Sequence, residues 1–354
     1  MKILTLADIH ISKNTPWSTD YEDIRYLCRQ LYRLPDDLSF DACIVAGDIF
    51  NVSRIKPEDV FWFIKILNLL GVYNKGSMMA IGGNHDPHDP SIASCIPCGH
   101  TLSPQSVLCF DGLSVSGMMY SPDLDKVREY LNNVKTDIVV CHQSVEEFAG
   151  TFGLAGANQL KLADFPKDRL CIVGDTHITK AIQHGSGAVL SPGILCPMRS
   201  RAELLDSEPH LVWFDTEDGI QWIPLKKRFA AWFDGDPESI EQFENHLKEM
   251  EDWEPDMIMY VSESMREGLP KRLPERTRVM IVPAESKENY LEMPEVDVDD
   301  FEGTGAYVIE ETVSGMLDEA DDDRSTIVSL VRDIAVSETP EDQIKHYLQG
   351  EDKK

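Results

Sequence analysis

Met78-Met79-Ala80-Ile81-Gly82-Gly83-Asn84-His85-Asp86 is an apolar run that breaks off into a turn of glycine, asparagine and histidine. The first half reads as a buried strand, and the second half is poor strand chemistry but good turn chemistry. The polar side chains therefore stand where a strand ends. The same arrangement recurs on either side of this stretch. Asp8-Ile9-His10 follows the apolar run 2–7, and Gly47-Asp48-Ile49-Phe50 follows 42–46. Cys141-His142 closes 137–141, and Gly174-Asp175-Thr176-His177 follows 170–173. Amphipathic stretches at 21–33, 57–70 and near 123–132 read as helices between these strands. That alternation marks an α/β fold, whose ligands gather at the C-terminal ends of strands.

Further strands are expected near 106–110 and 113–118. A β-rich run from 187 to 225 contains a hairpin turned by Glu217, Asp218 and Gly219. The expected architecture for 1–228 is an α/β, two-layered β-sandwich flanked by helices. After Lys226-Lys227-Arg228 the pattern changes to strand, helix (237–250), strand (257–261) and strand (278–282), which suits a small α+β capping domain over 229–285. Residues 286–305 are acidic, carry Pro294 and read as a linker, and 306–354 form a C-terminal helical segment with an N-cap at Thr339 before Pro340.

Composition narrows the class. The chain has 354 residues, 42% of them apolar and 27% charged, in the range of folded globular proteins. It has no run of the roughly 20 apolar residues that a membrane-spanning helix needs. The N-terminus carries carboxylates too early for a secretory signal, so a cytoplasmic location is expected. Cys43, Cys109, Cys141 and Cys171 sit inside apolar runs and are expected in the core. Cys95 and Cys98 lack the second ligand pair of a structural zinc site. The net charge of −29 falls unevenly: 1–228 holds 21 basic against 28 acidic residues, and the rest of the excess lies beyond. A protein that grips nucleic acid by phosphate neutralisation alone would be basic. A chain of this charge that handled phosphate would need bound cations at the site, help in holding its substrate, or a salty cytoplasm.

Each of the five strand-end motifs is unremarkable alone, since an Asp-x-His after a strand occurs in many ordinary loops. Together and in order they supply carboxylate, imidazole and amide donors without cysteine, a set suited to Mn²⁺ or a similar ion. In this order the motifs resemble the signature of calcineurin-like metallophosphoesterases, D-x-H, G-D, G-N-H-D/E, H and G-H-x-H, over residues 1 to about 225. Gly47-Asp48-Ile49-Phe50 and the small appended domain are similar to those of SbcD-type DNA repair and recombination nucleases, including the recombination nuclease subunits of tailed phages.

The resemblance implies two divalent metal ions, Mn²⁺ or alternatively Mg²⁺. One would be held by Asp8, His10 and His177 and the other by Asn84, His142 and Asp175, with Asp48 and a hydroxide bridging them. His85 would protonate the leaving oxygen, with Asp86 orienting its ring. Position 175 is aspartate where the family usually has histidine, which favours harder ions. Asn51 stands where some SbcD-like nucleases carry a histidine that seats DNA, and Arg54 is a candidate for a backbone phosphate. The glycine-bearing segment 150–156 is a candidate substrate loop, while His88 and His100 read as loop residues. The implied function is that of a DNA exo/endonuclease. The implied partners are DNA, a second copy of the chain joined near the N-terminal helices, and an SbcC-type coiled-coil ATPase gripped by the helical segment around 325–348. The alternatives are a phosphoesterase acting on small esters or nucleotides, and a non-catalytic scaffold on the same fold.

Overall fold

In a computed structural model, the described residues run from Met1 to Val282, leaving out 15–19, 36–37, 39, 52–54, 73–76, 87–98, 149–158, 197–203, 206, 253, 263, 266–268 and 270–273. Arg54, His88, Cys95, Cys98, the segment 150–156, the linker 286–305 and the C-terminal helical segment lie outside the described residues.

Three parallel strands, β1 (Lys2–Leu6), β2 (Ala42–Ala46) and β3 (Ser77–Ile81), form the centre of the first sheet. The short β4 (Gly99–Thr101) continues it beyond β3. On the other side β11 (His210–Asp215) pairs antiparallel with β1 and with its hairpin partner β12 (Gly219–Pro224). The second sheet runs β5 (Leu108–Phe110), β6 (Leu113–Met118), β7 (Ile138–His142), β8 (Leu170–Gly174), β10 (Gly187–Ser191), β9 (Lys180–His184). Parallel strands buried on both faces need continuous apolar sequence, and β2 and β7 are buried along their whole length.

The sheets pack face to face. Ile3, Ala42, Ile44, Ala46, Met79 and Ile81 of the first sheet share one core with Val115, Ile138, Val140 and Ile172 of the second. Their approach is close at Gly117, where an added Cβ would fall 2.7 Å from Ile81 Cγ2 and 2.9 Å from Leu102 Cβ. Side chains alternate along a strand, so Leu4, Leu6, Cys43 and Val45 face away from this core and are buried on the other side. The outer layer there is α1 (Glu22–Tyr32) and α2 (Pro57–Leu69), which pack on each other and bury Ile24, Leu27, Leu31, Phe63 and Ile66. Pro57 opens α2 at a position where its missing N–H costs nothing, and Asp59 accepts from the Lys56 N–H at 2.8 Å. On the far face of the second sheet α3 (Leu124–Asn133) seats Val127 and Leu131 against Val139, Cys141, Cys171 and Val189. Its N-cap, Asp123, accepts from the Lys126 N–H.

Over the stretch where a small α+β domain is expected, β13 (Ala230–Phe233), β14 (Met257–Ser262) and β15 (Thr277–Val282) form a three-stranded parallel sheet. The crossover from β13 to β14 is α4 (Pro237–Glu249), whose Phe243 packs against Phe233, Met257 and Val261. Arg228, 3% exposed, ties this sheet to the start of α1. Its guanidinium donates to Asp23 Oδ1 at 3.0 and 2.8 Å and to Glu22 Oε2 at 3.0 Å. Arg278 adds bonds to Glu22 Oε1 and Asp256 Oδ2, both at 3.1 Å.

Three local expectations change. Cys109 is exposed, because β5 is a three-residue strand at the edge of its sheet and the alternation turns residue 109 outward. His100 is paired with Met79 in β4 rather than in a loop. The β-rich run begins at Lys180, since β9 pairs with β10 along its length. Among the described residues, no helix is long and apolar enough to cross a membrane.

Candidate metal centre

The ends of β1, β2 and β3 deliver Asp8, His10, Asp48 and Asn84, and the ends of β7 and β8 in the second sheet deliver His142, Asp175 and His177. Five of these turn the backbone into the left-handed region: φ is 50° at Asp8, 49° at His10, 51° at Asp48, 67° at Asp175 and 57° at His177. Such conformations cost about 1–3 kcal/mol each and persist where the surroundings hold them. Here the Asp8 N–H donates to Gly47 O at 3.1 Å and the His10 N–H to Asp48 O at 3.0 Å. The Asp175 N–H donates to Asp8 Oδ1 at 3.0 Å and the His85 N–H to Asp48 Oδ1 at 2.9 Å. Glycine makes room at the tightest points. A Cβ at Gly47 would lie 2.5 Å from His142 Nδ1 and 2.9 Å from Gly83, and one at Gly174 would collide with Ala46 O and His142 Nδ1.

The donor atoms converge in two groups. In the first, His10 Nε2 and His177 Nε2 lie 3.1 Å apart, with Asp8 Oδ1 3.7 Å from His177 Nε2. In the second, His142 Nε2 lies 3.0 Å from Asn84 Oδ1, 3.4 Å from Asp48 Oδ2 and 3.9 Å from Asp175 Oδ1. Asp48 Oδ2 stands between them, 3.6 Å from His10 Nε2. Asp8 also reaches both sides, since Asp8, His10 and His177 offer atoms within 4.8 Å of one another, and so do Asp8, Asp48 and His142.

The tautomer of His142 follows from its other nitrogen. Nδ1 lies 2.7 Å from Ala46 O, and a carbonyl only accepts, so Nδ1 carries the hydrogen. In the neutral ring Nε2 then presents a lone pair to a set of oxygens that are acceptors too. Asp8 Oδ2 and Asp48 Oδ2 are buried without a hydrogen-bond partner, an arrangement that is costly unless a cation meets them. Without an ion, protons meet part of that cost. Burial pushes the Asp8 carboxyl up to about 7, against the pull of His177 and His142. Burial also works against charge on Asp48, but His142, His10 and His85 outweigh it and hold Asp48 far below the carboxylate range. Burial likewise opposes a charged His142, yet Asp48, Asp8 and Asp175 hold that imidazole well above its ordinary value. Two ligand nitrogens of one ion, each about 2.1 Å from it, would lie roughly 3 Å apart. The residues present fit a pair of divalent ions.

His85 and Asn84 lie at the rim, Asn84 exposed and His85 half-buried, with the His85 ring edge-on to His10 at 5.2 Å between centroids. The Asp86 carboxylate accepts from the backbone N–H groups of Ile49 (3.1 Å), Phe50 (3.2 Å) and Gly83 (2.9 Å). These bonds pin the turn after β3 to the loop after β2, and burial followed by the Asp48 charge pushes Asp86 up to about 6. Asn51 is half-buried one residue beyond Phe50, its N–H donating to Ile11 O at 3.2 Å. Two neighbours of the site do not stand out in the sequence: Ser144, whose hydroxyl donates to Asp175 Oδ2 at 2.6 Å, and Tyr120, whose ring meets His142 edge-on at 6.3 Å. Ser144 follows His142 by two residues, and that proximity was the available signal.

A family model described as calcineurin-like phosphoesterase matches residues 1–179. Among solved structures, TT1561 of Thermus thermophilus is 14% identical over 64% of this chain and 99% of its own, with a TM-score of 0.39. Vps29 from Entamoeba histolytica, in a complex with zinc, is 11% identical over 64% of this chain and 98% of its own, with a TM-score of 0.33. The phosphoesterase YfcE from E. coli is 11% identical over 64% of this chain and 100% of its own, with a TM-score of 0.32. At such scores the likeness supports no residue-by-residue comparison.

Proposed function

Because the chain belongs to the calcineurin-like phosphoesterase family, a family of metal-dependent hydrolases, we propose that it cleaves phosphodiester bonds in DNA as the nuclease subunit of an SbcC/SbcD-like repair or recombination complex. The observation that carries the phosphodiesterase reading is the pair of donor groups meeting at Asp48, with Asp8 Oδ2 and Asp48 Oδ2 buried and without a hydrogen-bond partner. In this reading Asp8, His10 and His177 hold one ion, Asn84, His142 and Asp175 hold the other, and Asp48 reaches both. Bound there, two ions would polarise a phosphoryl group and lower the pKa of water enough to supply a nucleophile at neutral pH. Three of the seven ligands are carboxylates and one is an amide, which favours Mn²⁺, with Mg²⁺ next.

The chain's own residues then divide the remaining work. The Nδ1–H bond to Ala46 O fixes the His142 ring, and Asp86 fixes the turn that carries Asn84 and His85. His85, at the rim and outside the ligand set, is placed to deliver a proton to the leaving oxygen. Exposed Asn84 leaves one edge of the site at the surface, which favours a long substrate over a small ester enclosed by a cap. Asn51 and Arg54 are the candidates for holding the DNA backbone. With a net charge of −29 the chain gains little affinity for DNA from its overall field. A second copy and a coiled-coil ATPase would supply the grip, and such a complex would work in the cytoplasm.

The test is hydrolysis of linear and circular, single- and double-stranded DNA by the purified chain with Mn²⁺, beside bis-p-nitrophenyl phosphate, with His85→Ala as control. DNA cleavage that His85→Ala abolishes supports the reading. Turnover of the small ester alone favours a small-ester phosphoesterase. Two bound ions with neither substrate cut favours a scaffold.

A further inference from the structure

Asp175 occupies a position where a single ring nitrogen is the usual donor, and a carboxylate offers two oxygens about a torsion with broad, two-fold preferences. Left alone it could chelate through both, or swing toward water, since its side chain is 23% exposed. In this chain it is not left alone. Ser144 Oγ donates to Oδ2 at 2.6 Å, while Oδ1 remains on the side of His142 Nε2, 3.9 Å away. Ser144 is itself 7% exposed and fixed at the backbone: its carbonyl accepts from the Leu160 N–H at 2.9 Å, and Val145 bridges to Leu160. The Asp175 main chain is fixed as well, through its N–H to Asp8 Oδ1 at 3.0 Å.

We propose that Ser144 is a positioning residue for the second metal position, its hydroxyl occupying Asp175 Oδ2 so that Asp175 acts there as a one-atom anionic donor through Oδ1. The pair reproduces the single-atom reach of an imidazole and adds a negative charge. This rests on the two-metal reading. Hydrogen-bond partners of metal ligands are typically worth about 10–100-fold in metal affinity.

The experiment is calorimetric titration of the EDTA-stripped full chain with MnCl₂, with Mn²⁺ electron paramagnetic resonance to count bound ions. Wild type is expected to bind two ions. Ser144→Ala should weaken one step by about 10–100-fold and leave the other in place. Ser144→Thr, which keeps the hydroxyl, should stay near wild type. Ser144→Cys, close in volume but a weak donor, should fall between and carries the test if the alanine variant does not fold. In an Asp175→Ala background, Ser144→Ala should change neither step further, whereas a merely structural serine would still cost affinity there. Two ions bound with both steps unchanged in Ser144→Ala and Ser144→Cys, or equal losses with and without Asp175, overturns the Ser144 proposal alone. A wild-type chain that binds fewer than two ions overturns the two-metal reading and this proposal with it.

Discussion

Gly47→Ala isolates how tightly the site is built, because Gly112 supplies a matched control. Gly47 has φ +92° and Gly112 φ +84°, so alanine at either meets the same left-handed cost of roughly 1–2 kcal/mol. They differ in surroundings. An added Cβ at Gly112 has nothing within 4 Å, whereas at Gly47 it falls 2.5 Å from His142 Nδ1 and 2.9 Å from the Gly83 Cα and N. Two of those neighbours are backbone, and the third is a ring nitrogen tied to Ala46 O, so none can yield cheaply. Forced overpacking of this kind costs about 1–3 kcal/mol. Gly112→Ala should therefore lose about 1–2 kcal/mol and Gly47→Ala about 2–5 kcal/mol in urea denaturation with EDTA present. For a unit of this size that is roughly 2–4 °C in melting temperature per kcal/mol. Gly47→Ala should also weaken Mn²⁺ binding, since it displaces His142, while Gly112→Ala should not. Equal losses in the two variants, with Mn²⁺ affinity intact in both, would refute the inference that close packing around His142 shapes the site.

His85→Ala should abolish turnover while calorimetry still finds two Mn²⁺ ions, because His85 is outside both donor groups; loss of an ion would make it a ligand. Asp8, raised to about 7, and His142, raised well above its usual value, each contribute stability that is complete at low pH and lost as pH rises through the folded-state pKa. Asp48, held low, contributes in the opposite sense only in strong acid. The metal-free protein should thus melt lower at pH 8 than at pH 5.5, and the gain on adding Mn²⁺ should be larger at pH 8, where fewer protons compete; scanning fluorimetry with a gain independent of pH would contradict this. Arg228→Met leaves Asp23 buried beside an apolar chain and should cost about 3–5 kcal/mol. The double variant Arg228→Met/Asp23→Leu should recover much of the loss in the same melts, and no recovery would show that the ion pair is not what joins the small sheet to α1.

Most of the framework was legible because parallel strands buried on both faces, such as Ala42–Ala46 and Ile138–His142, must be written in continuous apolar residues. The strand-end motifs were legible because each breaks off an apolar run with polar, turn-forming residues. What escaped the reading lacks that contrast. Gly99–Thr101 is three residues long with no apolar run, and Lys180–His184 mixes Lys, Gln and His because its sheet edge is half in water. Cys109 looked buried because its neighbours are apolar, but the facing direction of a three-residue edge strand is set by its partner, Leu113–Met118. The bond from Ser144 to Asp175 joins loops after two different strands, and beyond the nearness of Ser144 to His142 no local pattern points to it.

The order in which the proposed ligands occur along the chain has a consequence for biosynthesis. Asp8, His10, Asp48 and Asn84 belong to one sheet, and His142, Asp175 and His177 to the other. Moreover, β1 lies between β2 and β11, so one flank of the first strand stays open until residues 210–215 have been made. As the chain leaves the ribosome, Asp8 and Asp48 exist well before the imidazoles of His142 and His177 that complete their surroundings. A divalent ion meeting the nascent chain finds four of these seven side chains, and in the proposed two-metal reading its capture should wait until the second sheet has docked and the β11–β12 hairpin has closed over β1.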